Sequence, residues 1–166
     1  MWRRGLRGKR HAWTDPPYSS YAAIAATFVG GLTLAAVLAR ALGREPRALS
    51  TLDFVTLSAA TFKASRTISH DKLTSFLREP FVEGDAYDGD DEAPAGEGMQ
   101  RAIGELVTCT RCVGAWVAAG LGTAQILTPR LGRLLTWSLA ASAANDFLQA
   151  SFVALERKSE DLGDRT

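Results

Sequence analysis

The chain is poor in the residues that most often carry chemistry. It holds two cysteines and two histidines in 166 residues. A close pair of cysteines excludes the disulfide framework of a small secreted domain. It also leaves a closed zinc site short of ligands, because His11 lies in a terminal tail and only His70 remains to join the thiols. No Walker loop, Ser/His/Asp array, HExxH helix or dinucleotide glycine pattern is present. Excess charge is missing too. Nineteen basic residues meet 18 acidic ones, so bulk charge predicts no polyanionic partner and no specific nucleic acid. No internal repeat stands out, and the length suits one domain-sized unit.

What is present is segregation. Charges crowd into termini and loops, with long uncharged runs between them, which is the pattern of a helical membrane protein. Residues 1–20 form a basic tail, in which Arg3, Arg4, Arg7, Lys9 and Arg10 precede Asp15-Pro16-Pro17. The tail reads as a cytoplasmic anchor, with binding to nucleic acid or anionic headgroups as the alternative. Tyr21 to Ala39 carries no charge over nineteen residues, close to the roughly 20 needed to cross a bilayer. Residues 21–43 are therefore expected to form a first span. A signal peptide is the competing reading, but the run exceeds the usual h-region of about 7–15 residues. Ala22, Ala26 and Gly30 recur every four positions, a stripe that suits close approach of another helix.

Three further segments are expected to complete an all-α bundle of about four membrane helices. The weakest starts at Thr51 and meets Lys63 and Arg66. Met99 to Leu127 reads as a span only if the turn before the cysteines is included, and it carries a second small-residue stripe at Gly114, Ala118 and Gly122. Leu131 to Leu155 is the last, followed by a polar tail at 156–166 that is expected to be loose from Glu160 onward. With four spans, fourteen basic residues fall on the side of the N-terminus and five (Arg40, Arg44, Arg47, Arg130, Arg133) on the other. The positive-inside rule then puts both termini in the cytoplasm of a multi-pass cell-membrane protein.

Two soluble segments lie on the cytoplasmic side. Residues 67–81 have the apolar sector of a juxtamembrane amphipathic helix (Ile68, Leu73, Phe76, Leu77, Phe81), with Ser69 as its N-cap and Pro80 as its stop. Residues 83–98 hold seven acids and no base, the composition of a disordered linker. Metal binding by these acids lacks the spacing of a calcium loop.

The candidate chemistry gathers at this face. Cys109 and Cys112 are separated by two residues; such a pair packs as reduced thiols, shares a metal with His70, or exchanges with another dithiol. Reduced packing is the leading reading, zinc at Cys109, Cys112 and His70 is the alternative, and no cofactor is otherwise expected. Glu105 and Asp146 are intramembrane acids that need partners, which makes them either register-fixing pairs or a proton path. Asp146 has Lys63, Arg78 and the Trp116 N–H as candidate partners. With Asp71, these residues define one candidate polar cluster: Cys109, Cys112, Glu105, Asp146, Asp71, Arg78 and Trp116.

Three blocks also resemble a bacterial family catalogued as a domain of unknown function, number 1360. They are RTISHDKLTSFLREPF, GELVTCTRCVGAWVAA, and a hydrophobic run ending in NDFL. The likeness covers about residues 51–155 and carries Asp71, Lys72, Arg78, Pro80, Phe81, Gly104, Glu105, Leu106, Cys109, Cys112, Trp116, Asp146 and Phe147. Family members often have proline after the first cysteine, where this chain has Thr110. The resemblance implies a small integral membrane protein and no established activity. The leading function class is accordingly a structural or interaction component, bound to the bilayer and to further copies or partners through the small-residue faces. A metal- or thiol-dependent protein and an ion- or proton-handling protein using Asp146 are the alternatives.

Overall fold

The computed structural model describes residues 16–44, 50–84 and 92–163, with only the backbone given for 161–163. The protein is almost entirely helical. Its elements are α1 (Tyr18–Ala41), α2 (Thr51–His70), the single turn α3 (Ser75–Arg78) between two short 3-10 turns, the strands β1 (Val82–Glu83) and β2 (Ala93–Pro94), α4 (Gly98–Thr108), α5 (Thr110–Leu127) and α6 (Pro129–Gly163).

Local sequence sets most of the boundaries. α1 starts behind Pro16-Pro17 and stops at Gly43, whose φ of +63° favours a residue without Cβ. The Arg44 N–H then reaches back to the Ala39 carbonyl at 2.8 Å. α2 opens with a capping box: Ser50 Oγ accepts the Asp53 N–H and Asp53 Oδ2 accepts the Ser50 N–H, each at 3.1 Å. Between α5 and α6 only Thr128 intervenes, and Pro129 occupies the first helical position. Gly132 makes this turn feasible, since a Cβ there would sit within 3.0 Å of the backbone of Ala124 and Gln125.

α2, α5 and α6 pack together as the core of the bundle, and α1 docks on α5 and α4. The seam is made of small groups. Ala60 is 0% exposed and Ala143 1%, with Ala140, Leu121 and Thr136 buried beside them. Thr136 Oγ1 donates to the Gly132 carbonyl and accepts from Gln125 Nε2, both at 2.8 Å, tying the α5–α6 hairpin. Large apolar side chains point the other way: Val29, Leu34, Leu52, Phe54, Leu134, Phe147 and Phe152 are all exposed.

Several expectations are narrowed or corrected. Among the described residues one helix, α1, is long and apolar enough by itself to cross a membrane. The expected span from Met99 to Leu127 is two helices meeting at 84°, and it passes the same test only if that bent pair counts as one span. The amphipathic helix expected at 67–81 does not form. α2 runs through His70, Asp71 turns extended, and two 3-10 turns flank the single turn of α3. Ser69 is therefore no cap, but a buried residue in the last turn of α2. The acidic linker is ordered at both described ends, where Val82 pairs with Pro94 and Glu83 with Ala93; residues 85–91 lie outside the described part. The tail expected to be loose from Glu160 continues as α6 to Gly163. Of the basic tail, residues 1–15 also lie outside the described part.

Candidate functional site

Among the described residues the most completely buried charged group is Arg78, at 0% exposure, with Glu92 at 4% beside it. Arg78 Nε and Nη2 donate to the Glu92 carboxylate at 2.9–3.1 Å, a fork geometry that suits guanidinium. Nη1 donates to the carbonyls of Ile68 (2.8 Å) and Asp71 (3.1 Å) and to Thr74 Oγ1 (3.0 Å). A helix leaves its last carbonyls unsatisfied, and a basic side chain can take them. Arg78 does this for α2. That is why the chain breaks after His70 instead of extending as one amphipathic helix. Asp71 contributes its backbone to this knot.

α4 closes over the knot. Its Gly104 lies against the Phe81 carbonyl and Pro94, so that an added Cβ would fall within 3.0 Å of that oxygen. The next residue, Glu105, accepts from Arg101 Nε at 3.0 Å and from the Tyr21 hydroxyl of α1. Below this polar head, α1, α4 and α5 enclose an open apolar groove of 390 Å³ lined by Phe28, Leu106, Cys112 and Trp116 among others. The rings of Phe28 and Trp116 meet edge-on, 5.1 Å apart, and fix α1 against α5.

Cys109 is at once the last cap of α4 and the N-cap of α5. Its Sγ accepts the Cys112 N–H at 3.3 Å, and the two sulfurs are bonded to each other with Cα atoms 5.2 Å apart. The capping geometry brings the two side chains together, at the distance of a disulfide. His70 Nε2 lies 3.0 Å from Thr110 Oγ1. Among the described residues no group of three or more His, Cys, Asp and Glu comes together to hold a metal, and the alternative set of Cys109, Cys112 and His70 does not form such a group.

Asp146 pairs with Lys63 at 2.7 Å, with side chains 44% and 21% exposed. The rings of Phe62 and Phe147 stack beside them. The expected single cluster therefore divides. Glu105, Cys112 and Trp116 share the groove; Arg78 and the Asp71 backbone share the knot; Asp146 stands apart on the α2–α6 face. Sequence reasoning missed Glu92, Tyr21 and Phe28. Nothing distinguished Glu92 from six other acids in its segment. Tyr21 carried a weak signal as an aromatic at the polar end of an apolar run.

Comparison with known proteins bears on what these residues have in common with other chains. The family described as "Protein of unknown function (DUF1360)" matches residues 56–152. UPF0713 protein YngL of Bacillus subtilis (strain 168) is 28% identical over 109 residues, which cover 62% of this chain and 80% of YngL. Sporulation protein YjcA of the same organism is 34% identical over 95 residues, 54% of this chain and 80% of YjcA. No solved structure matches. The family match extends from Thr56 in α2 to Phe152 in α6 and takes in the knot, the disulfide and the Lys63–Asp146 pair: this chain belongs to the DUF1360 family.

Proposed function

We propose that the protein is a multi-pass membrane component, with α1, α2, α5 and α6 crossing in alternating directions and both termini on the cytoplasmic side. The observation that carries this reading is the inverted packing. Small and polar side chains such as Ala60, Ser65, Thr136 and Ala143 fill the seams, while Phe54, Leu134 and Phe152 cover the outside. A water-soluble bundle arranges its residues the other way, since apolar surface is driven inward at about 25 cal/mol per Å². In hydrocarbon that drive vanishes and close packing of small residues takes over. Helix lengths support the reading: 24, 20 and 18 residues for α1, α2 and α5 correspond to roughly 36, 30 and 27 Å, against a core about 30 Å thick.

Its role on this reading is structural or interactive. Gly30 and Gly122, one from each small-residue stripe, have nothing within 4 Å of an added Cβ. Those faces are left for lipid or for a helix of a second copy. The Lys63–Asp146 pair serves as a neutralised register lock between α2 and α6 rather than as a proton path. Fractionation of cells expressing the full chain tests the main claim. The protein is expected to stay with membranes after an alkaline carbonate wash. Impermeant labelling of single cysteines, introduced at Arg44 and Arg130 of a Cys109→Ser/Cys112→Ser chain, should reach both from outside and none placed at Lys72. Release by carbonate, or labelling of Lys72 with the same speed, would sink it.

A further inference from the structure

The Cys109–Cys112 disulfide is poorly suited to a stabilising role. A crosslink acts mainly by restricting the unfolded chain, and its effect grows with the loop it closes. This one spans a sequence separation of three, and its first residue is already held by the cap hydrogen bond to the Cys112 N–H. Its position instead has the features of an exchanging pair. Cys109 caps an 18-residue helix, so a thiolate there meets the free N–H groups and the positive end of the helix dipole. No acid stands in the first turn of α5, and Arg111 lies between the two cysteines. Cys112 is exposed and lines the apolar groove between α1, α4 and α5, whereas Cys109 is half-buried.

We infer that Cys109 and Cys112 form a thiol–disulfide exchange site that accepts a dithiol presented at the groove. The exposed Cys112 Sγ is the sulfur attacked. A thiolate of the incoming dithiol forms a bond to Cys112 Sγ as the Cys112–Cys109 bond breaks. Cys109 leaves as a thiolate, held by the Cys112 N–H and the helix N-terminus. The second thiol of the substrate gives its proton to water and attacks its own sulfur in the mixed disulfide. This releases Cys112, and both protein thiolates then equilibrate with protons from water. The substrate dithiol is oxidised to a disulfide, and the protein disulfide is reduced by the same two electrons. The reverse sequence passes through the same mixed disulfide.

Glutathione is the probe. The full chain, in detergent, is equilibrated across a series of reduced-to-oxidised glutathione ratios, quenched in acid and labelled with a maleimide. The pair is expected to pass from bonded to fully reduced within that series, as one two-electron transition. While reduced glutathione opens the wild-type disulfide, the mixed disulfide trapped by the acid quench should sit on Cys112 at least tenfold more than on Cys109, as read by peptide mass. This measurement and the titration both use the unmutated chain, so neither depends on a variant that folds. A pair that stays bonded at every ratio, or a mixed disulfide shared equally between the two sulfurs, overturns the proposal.

Discussion

The two halves of α2 are held by opposite means. Its C-terminal end is fixed by a buried guanidinium that saturates carbonyls and a carboxylate. Its middle is fixed by Ala60 and its neighbours packed against α5 and α6, with the part-exposed Lys63–Asp146 pair at the edge of that seam. A polar knot is specified atom by atom, and losing one member strands the others. A small-residue seam is specified only by size. The first is fragile to chemistry and the second to volume.

Substitutions that remove one and leave the other make this contrast measurable. Arg78→Met should have the largest effect, because it leaves Glu92 and the α2 carbonyls buried without their donor. Breaking a buried pair in this way typically costs about 3–5 kcal/mol. Thermal unfolding in detergent should show it, and the double change Arg78→Met/Glu92→Met should recover part of the loss. Next come size changes. Ala60→Leu in the seam and Gly104→Ala beside the Phe81 carbonyl should each cost about 1–3 kcal/mol, through overpacking alone.

Asp146→Ala should cost less, about 0.6 kcal/mol and at most about 1.7 kcal/mol, the range of polar contacts between membrane helices, since the Asp146 side chain of the pair is 44% exposed. A double-mutant cycle with Lys63→Met reads that coupling directly. The smallest effect has the opposite sign. Gly114 lies in α5 opposite Ser65 and Thr61, and an added Cβ would meet them at 4.0 Å, an ordinary contact. Gly114→Ala should therefore leave stability unchanged or raise it by about 0.5–1 kcal/mol. If Gly114→Ala proved as damaging as Gly104→Ala, the idea that the seam is specified by volume alone would fail.

The same contrast explains what the sequence made legible. Apolar runs announced α1, α5 and most of α6, because a helix of that composition has few alternatives. The glutamate and cysteines of the GELVTCTRC stretch were recognisable as a group, and Glu105, Cys112 and Trp116 do share one groove. The knot was not legible. Arg78 looked like the polar face of a surface helix, and Glu92 like one of many solvated acids. Their pairing depends on two strands of two residues each, too short to leave a periodic signal. The bend at Cys109 was equally hidden, since Leu106 and Val107 continue the apolar pattern across a joint of 84°. Hydropathy reports burial along a line, and neither feature lies along one.

The two-rung ladder of Val82 with Pro94 and Glu83 with Ala93 has a consequence for length rather than for contacts. It fixes both ends of the acidic segment at one point and delivers Glu92 to Arg78 however many residues run between. Closing a longer loop costs little, about 0.6 kcal/mol for each doubling. Lengthening the chain between Gly84 and Glu92 should therefore leave the Arg78–Glu92 pair in register, with an unchanged thermal midpoint in detergent as the check.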